Sequence, residues 1–169
     1  MTKVLEALEI IDYKKFFDLS IEKRISLDFI FMQTAMLFSS RSECYRSQVG
    51  CVITKDGRII SVGYNGNVSG GKKCTYDNSC PLDNSGSCYN SIHAEQNAIA
   101  FCSKNGINTN ESTIYVTLSP CLACSKLIIQ SGIKKVIYLN EYRIKDGIDY
   151  LKEYNVETVK FESKLWILK

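Results

Sequence analysis

A single histidine and two closely spaced cysteines in this chain could bind a metal ion with a proton carrier beside it. Glu95 follows His93 by two residues, and Cys121 and Cys124 stand three residues apart after Pro120. Imidazole and thiolate groups are common zinc ligands, and three protein ligands leave the fourth tetrahedral position open. An open position can hold a water molecule and lower its pKa from about 15.7 to about 7.

Glu95 is not needed as a ligand in this set, so its carboxylate is available to carry protons. It could take a proton from the water and deliver it to a ring nitrogen, then to a departing amine. The predicted chemistry is the hydrolytic removal of an exocyclic amine from an aromatic ring. Taken singly, the cysteines could instead be a redox pair, and His93 a helix cap or a core residue.

Two predicted helices would position these groups. Apolar spacing from Ala94 to Cys102 indicates a helix that starts near His93, and Cys121–Ile129 indicates another, with its proline in the first turn. Because the positive end of a helix dipole stabilises anions, the thiolate forms of both cysteines are favoured there. We therefore expect the ligands at two helix N-termini that face one ion.

The rest of the pattern predicts a three-layer α/β/α domain with a mixed sheet of about five strands. Asp56-Gly57 joins two β-branched runs and is a strong hairpin signal, while later strands alternate with helices and should pair in parallel. We expect an N-terminal helical extension in residues 1–24, with an amphipathic helix from Thr2 to about Leu19, and one domain in residues 25–169. The other predicted elements are a helix from Ser26 or Leu27 to Phe38, strands Val49–Lys55, Arg58–Tyr64, Thr113–Leu118 and Lys135–Leu139, helix Lys145–Tyr154 and strand Glu157–Phe161.

The stretch between Asn65 and Cys88 is poor in apolar residues and long enough to need something that holds it in place. Four cysteines could bind a second, closed zinc site there: Cys44, Cys74, Cys80 and Cys88. The binding free energy of such sites, roughly 10–16 kcal/mol in peptides, would offset much of the cost of ordering the loop. Alternatively, one or two of these cysteines are small buried residues. Cys51 and Cys102 fall at predicted core positions.

Composition narrows the classes of function. At 169 residues, 45% hydrophobic and 23% charged, the chain has an ordinary composition for one globular domain. It has no apolar run of the roughly 20 residues that a membrane span needs, and a net charge of +3 is too small to indicate nucleic-acid binding. Eight cysteines without a secretory signal favour metal binding in a reducing compartment. We expect a cytoplasmic protein, in the host cytoplasm if it is viral.

Four segments together resemble the deoxycytidylate (dCMP) deaminases, a resemblance that runs from about residue 28 to residue 162. The segments are Gly63–Gly66, Ile92–Ile99, Ser119–Cys124 and Gln130–Tyr138. The zinc motif is shared across the cytidine deaminase-like superfamily, whereas the Gly-Tyr-Asn-Gly turn and Asn97 are typical of the nucleotide enzymes. The resemblance implies a cytidine deaminase-like fold and conversion of dCMP to dUMP with release of ammonia, which would feed thymidylate synthesis.

The resemblance also implies roles for individual residues. His93, Cys121 and Cys124 match the zinc ligands of the family, and Glu95 matches its proton shuttle. Contacts with substrate are implied for Asn65, Ala94, Arg46, Tyr142 and Arg143. The arginines suit a phosphate because a guanidinium can bond two oxygens at once, although both could instead be solvated surface charges. Some family members carry a second zinc, and cysteines stand at the matching places here.

Regulation and assembly are implied in the same way. Many family members are hexamers that dCTP activates and dTTP inhibits, which implies a homo-oligomer, nucleotide effectors and Mg²⁺ bound with an effector. This chain departs from the family where Asn67–Gly70 replaces a usual proline and where residues 1–23 have no counterpart. Two alternative functions stay open. One is a zinc deaminase that acts on a nucleoside or on tRNA, and the other is a non-catalytic zinc module.

Overall fold

The computed structural model describes residues 25–71, 80–84, 86 and 88–162. In chain order, its elements are helix α1 (Leu27–Ser39), strands β1 (Gly50–Lys55), β2 (Arg58–Tyr64), β3 (Gly66–Asn67) and β4 (Ser91–Ile92), helix α2 (Ala94–Lys104), strand β5 (Thr113–Leu118), helix α3 (Leu122–Gln130), strand β6 (Lys135–Asn140), helix α4 (Asp146–Glu153) and strand β7 (Glu157–Lys160). The predicted helix from Thr2 to Leu19 and Cys74 lie outside the described residues.

A mixed sheet of five strands, in the order β2-β1-β5-β6-β7, forms the middle layer. β1 pairs antiparallel with both β2 and β5, whereas β6 pairs in parallel with β5 and β7. Helix α1 packs on one face, where Phe31 and Met32 contact a cluster that includes Val52 and Tyr115. The helices α2, α3 and α4 cover the other face around a larger core that contains Cys51 and Cys102. The predicted three-layer α/β/α architecture is confirmed.

The turn between β1 and β2 has the geometry that its sequence predicts. Asp56 has φ 51° and Gly57 has φ 71°, and two consecutive left-handed residues are what a type I′ hairpin requires. Lys55 pairs with Arg58 across the turn, and the register shifts by one residue between Ile53 and Thr54. The strand order places β2 at one edge of the five-stranded sheet.

The helices that carry the candidate ligands begin within one residue of their predicted starts. His93 and Cys121 are the N-cap residues of α2 and α3, each with an extended backbone. Pro120 therefore precedes the cap of α3 and does not lie in its first turn, contrary to the sequence prediction. The reason is that an N-cap residue stays extended while its carbonyl accepts the first helical bond, here from the Ser125 N–H at 2.9 Å.

The stretch between β2 and α2 contains pairing that the sequence did not predict. Gly66 pairs with Ile92 and Asn67 pairs with Ser91, which forms a two-stranded antiparallel sheet. Strands of two residues show no hydrophobic alternation, so no periodic signal marks them. The pairing holds the start of this long loop against the residue that precedes His93.

None of the helices in the described part of the chain is long and apolar enough to cross a membrane.

Gly63 allows β2 to lie directly against the start of α2. A Cβ at this position would collide with the Ala94 carbonyl oxygen and lie 2.8 Å from the Ala98 nitrogen. Both obstacles are backbone atoms of the helix that carries His93 and Glu95, so they cannot move aside independently. By contrast, a Cβ on Gly66, in the same short motif, would meet no atom within 4 Å.

We predict that Gly63→Ala destabilises the protein by about 1–3 kcal/mol, because an added methyl group in a packed site forces the backbone apart. Gly66→Ala is the matched control and should leave the free energy of unfolding unchanged or slightly increased, because alanine restricts the unfolded chain. Urea unfolding of both variants measures the difference. Equal stabilities for the two variants would contradict the close approach of β2 and α2.

Candidate active site

Three metal-binding side chains meet between the start of α2 and the start of α3. His93 Nδ1 lies 3.5 Å from Cys121 Sγ and 3.3 Å from Cys124 Sγ, and the three donor atoms lie within 4.8 Å of one another. In a tetrahedral zinc site with Zn–N of about 2.0 Å and Zn–S of about 2.3 Å, neighbouring ligand atoms lie about 3.5 Å apart. The donor types and their spacing therefore fit zinc. Within the described ranges, this is the one compact group of at least three such donors.

The two cysteines of this group differ in acidity. The pKa of Cys121 is lowered to about 4, first because the Cys124 thiol donates a hydrogen bond to it and also because of His93. The pKa of Cys124 is raised by the same hydrogen bond and by burial. A divalent cation between the two sulfurs stabilises both thiolates, so metal binding would be coupled to loss of the Cys124 proton.

Glu95 lies in the first turn of α2 and is only 4% exposed. Burial raises the pKa of its carboxyl group to about 6, and the nearby His93 offsets part of that rise. A carboxyl group with a pKa near neutrality can both accept and release a proton at neutral pH. A cation bound at His93 would lower this pKa, since opposite charge favours the carboxylate form.

A cleft of about 250 Å³ opens beside these groups. It is lined by His93, Glu95 and Cys121, and by every residue for which a substrate contact is predicted: Arg46, Asn65, Ala94, Tyr142 and Arg143. The topology explains part of this convergence. β5 and β6 run in parallel, so their carboxyl ends lie side by side and lead into the Cys121 turn and the Tyr142 segment.

The Asn65 side chain holds two segments of the cleft wall together. Its Oδ1 accepts a hydrogen bond from the Val49 N–H at 2.8 Å, and its Nδ2 donates to the Ser47 carbonyl at 2.9 Å. The residue is 7% exposed, and it lies in the Gly-Tyr-Asn-Gly turn after β2. Each end of the amide keeps capacity for one further hydrogen bond, so a structural role and a contact with ligand are compatible.

Two exposed guanidinium groups lie near Gly86 at the cleft. Arg46 Nη2 donates to the Gly86 carbonyl at 2.9 Å, while both Nη atoms of Arg143 lie 3.8 Å from the position of a Cβ built on Gly86. Arg143 also lies over the Tyr142 ring, with its Cζ 5.7 Å from the ring centroid. Two positive groups at one end of the cleft make that end suited to an anionic part of a ligand.

The three described members of the second cysteine set lie around Arg46. Arg46 Nη1 is 3.8 Å from Cys80 Sγ. Cys44, Cys80 and Cys88 do not form a compact donor group of the kind that His93, Cys121 and Cys124 form. Cys44 and Cys88 line the cleft. Burial raises the pKa of Cys88, and the neighbouring Cys80 raises it further.

Sequence reasoning missed Ser119 as a residue of the cleft. It follows β5 directly, it is 4% exposed, and its Oγ accepts a hydrogen bond from the Tyr142 N–H at 2.7 Å. The available signal was its position between a buried strand and Pro120-Cys121, inside the Ser119–Cys124 segment that carries the family resemblance.

The model of the cytidine and deoxycytidylate deaminase zinc-binding region matches residues 26–140. The chain belongs to this family. ComE operon protein 2 of Bacillus subtilis (strain 168) is 41% identical over 150 residues, which cover 87% of this chain and 78% of that protein. The deoxycytidylate deaminase of Enterobacteria phage T2 is 35% identical, in a match that covers 80% of this chain and 92% of the phage protein.

The fold of this chain also matches that of a solved structure from the family. The dCMP deaminase from the cyanophage S-TIM5, in complex with dCMP and dUMP, superposes with a TM-score of 0.71 and 42% sequence identity. The match covers 82% of this chain and 99% of the cyanophage chain. The family resemblance and the cytidine deaminase-like fold expected from the sequence are confirmed.

Proposed function

We propose that this chain is a zinc-dependent dCMP deaminase, which hydrolyses dCMP to dUMP and ammonia and so supplies dUMP for thymidylate synthesis. The observation that carries the proposal is a zinc-compatible His93–Cys121–Cys124 group beside the buried Glu95, in a cleft with two guanidinium groups. Relatives named deoxycytidylate deaminase and the cyanophage structure with dCMP and dUMP support this choice of substrate.

His93, Cys121 and Cys124 would hold the zinc ion, which when bound activates a water molecule as the nucleophile. Glu95 takes a proton from the attacking water and delivers it to N3 of the pyrimidine as C4 is attacked. The second proton of the water reaches the exocyclic amine, which leaves as ammonia while the C4 carbonyl of dUMP forms. Burial of Glu95 keeps bulk water from competing for these protons.

The remaining cleft residues would bind and orient the nucleotide. We expect Asn65 and Ala94 to contact the sugar and base, because both line the cleft that His93, Glu95 and Cys121 also line. Arg46, Tyr142 and Arg143 would form the phosphate end, where both guanidinium groups lie close to Gly86. Charge-assisted bonds from arginine to phosphate are strong and directional, so they can discriminate a nucleotide from a nucleoside.

We predict that Glu95→Gln retains zinc but loses deaminase activity by about 10²–10⁴-fold, because glutamine has a similar shape and cannot carry the proton. Steady-state release of ammonia and metal analysis of the same sample measure both effects. Glu111→Gln, at a surface glutamate that is 64% exposed, is the control and should keep full activity. Activity of Glu95→Gln within about tenfold of the unmodified protein would exclude Glu95 as the proton carrier.

We predict that Arg143→Ala raises KM for dCMP by about tenfold or more, because a hydrogen bond to a charged group is lost. The KM for deoxycytidine, which has no phosphate, should stay the same. Arg58→Ala, at an exposed arginine in the hairpin that does not line the cleft, is the matched control. Equal turnover of dCMP and deoxycytidine by the unmodified protein would remove the phosphate argument and favour a nucleoside deaminase.

We further propose that Cys44, Cys74, Cys80 and Cys88 bind a second, structural zinc ion. Support comes from the need to stabilise the long stretch before α2 and from Cys80, which lies 3.8 Å from Arg46. The three described cysteines do not meet as a compact donor group, so zinc binding would have to draw them together. Such a site would also fix Arg46 at the phosphate end, because Arg46 donates hydrogen bonds to Cys80 and to the Gly86 carbonyl.

Cys80→Ser should lower the zinc content by one ion per chain, because serine replaces one of four thiolate ligands. Elemental analysis after dialysis measures the content. Cys102→Ala, which removes a buried core thiol, is the control and should retain both ions. Unchanged zinc content in Cys80→Ser would dismiss the second site.

Other properties are proposed on family resemblance alone. They are a homo-oligomer, which in the family is a hexamer, activation by dCTP with Mg²⁺, inhibition by dTTP, and a cytoplasmic location. We also propose that residues 25–169 form the deaminase domain and residues 1–24 a separate helical extension.

A further inference from the structure

Ser119 connects the metal-binding turn to the Tyr142–Arg143 segment, which we call the substrate arm. Its backbone N–H donates to the Asn140 carbonyl at 2.8 Å, and its Oγ accepts from the Tyr142 N–H at 2.7 Å. Ser119 is also two residues before Cys121. One residue therefore joins the ends of β5 and β6 at the point where both lead into the cleft.

The hydroxyl proton of Ser119 has no acceptor among the described residues. A serine hydroxyl can both accept and donate, and here it only accepts. Ser61, Ser112 and Ser125 are at least as buried as Ser119, and each donates to a backbone carbonyl, at 2.9, 2.6 and 3.0 Å respectively. The hydroxyl of Ser42 also only accepts, but Ser42 does not line the cleft. Ser119 is thus a deeply buried cleft residue with an unused donor.

We propose that Ser119 is a substrate-binding residue whose hydroxyl donates to a hydrogen-bond acceptor of the bound nucleotide. Buried polar hydrogens are almost always satisfied, and a ligand in the cleft can supply the missing acceptor. The inference rests on the proposed function, because dCMP carries such acceptors on its base, sugar and phosphate. Ser119 would then have two roles, because the same oxygen holds the substrate arm while its proton contacts the ligand.

The test uses the full chain with Glu95→Gln, so that dCMP binds without turnover and calorimetry gives its Kd. Ser119→Ala removes the hydrogen bond that Oγ accepts from the Tyr142 N–H and the proposed hydrogen bond to the ligand. It should raise Kd for dCMP about tenfold, given typical contributions of hydrogen bonds. Ser119→Thr keeps a hydroxyl group and should restore most of the affinity. Ser131→Ala, which removes a hydroxyl bonded to the Ile128 carbonyl, is the control and should bind normally. Thermal melting shows that each variant is folded.

A second comparison separates direct contact from positioning of the substrate arm. In a Tyr142→Ala/Arg143→Ala background, the arm has no large side chains left to contact the ligand. Loss of the hydrogen bond between Ser119 and the Tyr142 N–H then cannot weaken binding by displacing those side chains. Direct donation predicts that Ser119→Ala still weakens binding there. Comparison of dCMP with deoxycytidine then locates the acceptor, since a loss seen with both ligands indicates the base or sugar and a loss with dCMP alone indicates the phosphate.

The inference is overturned if folded Ser119→Ala binds dCMP as tightly as its parent. It is also overturned if the substitution has no effect once the arm side chains are truncated, because Ser119 then acts only through the arm. Failure of the proposed function looks different, since the unmodified chain would then neither bind nor deaminate dCMP.

Discussion

Three donor atoms from two helix starts have to lie within one coordination sphere, and much of the fold serves that requirement. The distances of 3.3 and 3.5 Å from His93 Nδ1 to the two sulfurs depend on how α2 and α3 are seated on the sheet. Two glycines permit that seating. Gly63 lets β2 approach the start of α2, and Gly147 lets α4 approach the Pro120-Cys121 backbone, where a Cβ would collide with the Pro120 carbonyl oxygen.

The chemistry of the site depends on the side chains around the three donor atoms. Glu95 is buried beside the ligands, so its carboxyl group is poised to exchange protons near neutral pH. The two arginines that line the same cleft are exposed, so solvation keeps them charged without a large desolvation cost. The cleft thus brings a zinc-compatible donor group and a buried carboxyl group together with two guanidinium groups, an arrangement that suits the small nucleotide we propose as substrate.

Residue type and spacing along the chain were enough to predict the central features of this protein. A lone histidine with Glu95 and a Cys-x-x-Cys pair predicted the metal group, and Asp56-Gly57 predicted the hairpin, because these signals are local. The β3–β4 pairing and the Ser119 bond to the Tyr142 segment depend on which distant segments meet, and no local pattern reports that. Sequence spacing also does not fix where thiolates meet in space, and the three described members of the second cysteine set do not form a compact donor group.

The most direct test is a crystal structure of the zinc-loaded protein with anomalous diffraction measured on both sides of the zinc absorption edge. The account predicts an ion bonded to His93 Nδ1 and to the sulfurs of Cys121 and Cys124, with a water molecule or ligand atom in the fourth position. A site without zinc at those atoms, or an ion whose fourth ligand is another protein side chain, would contradict it.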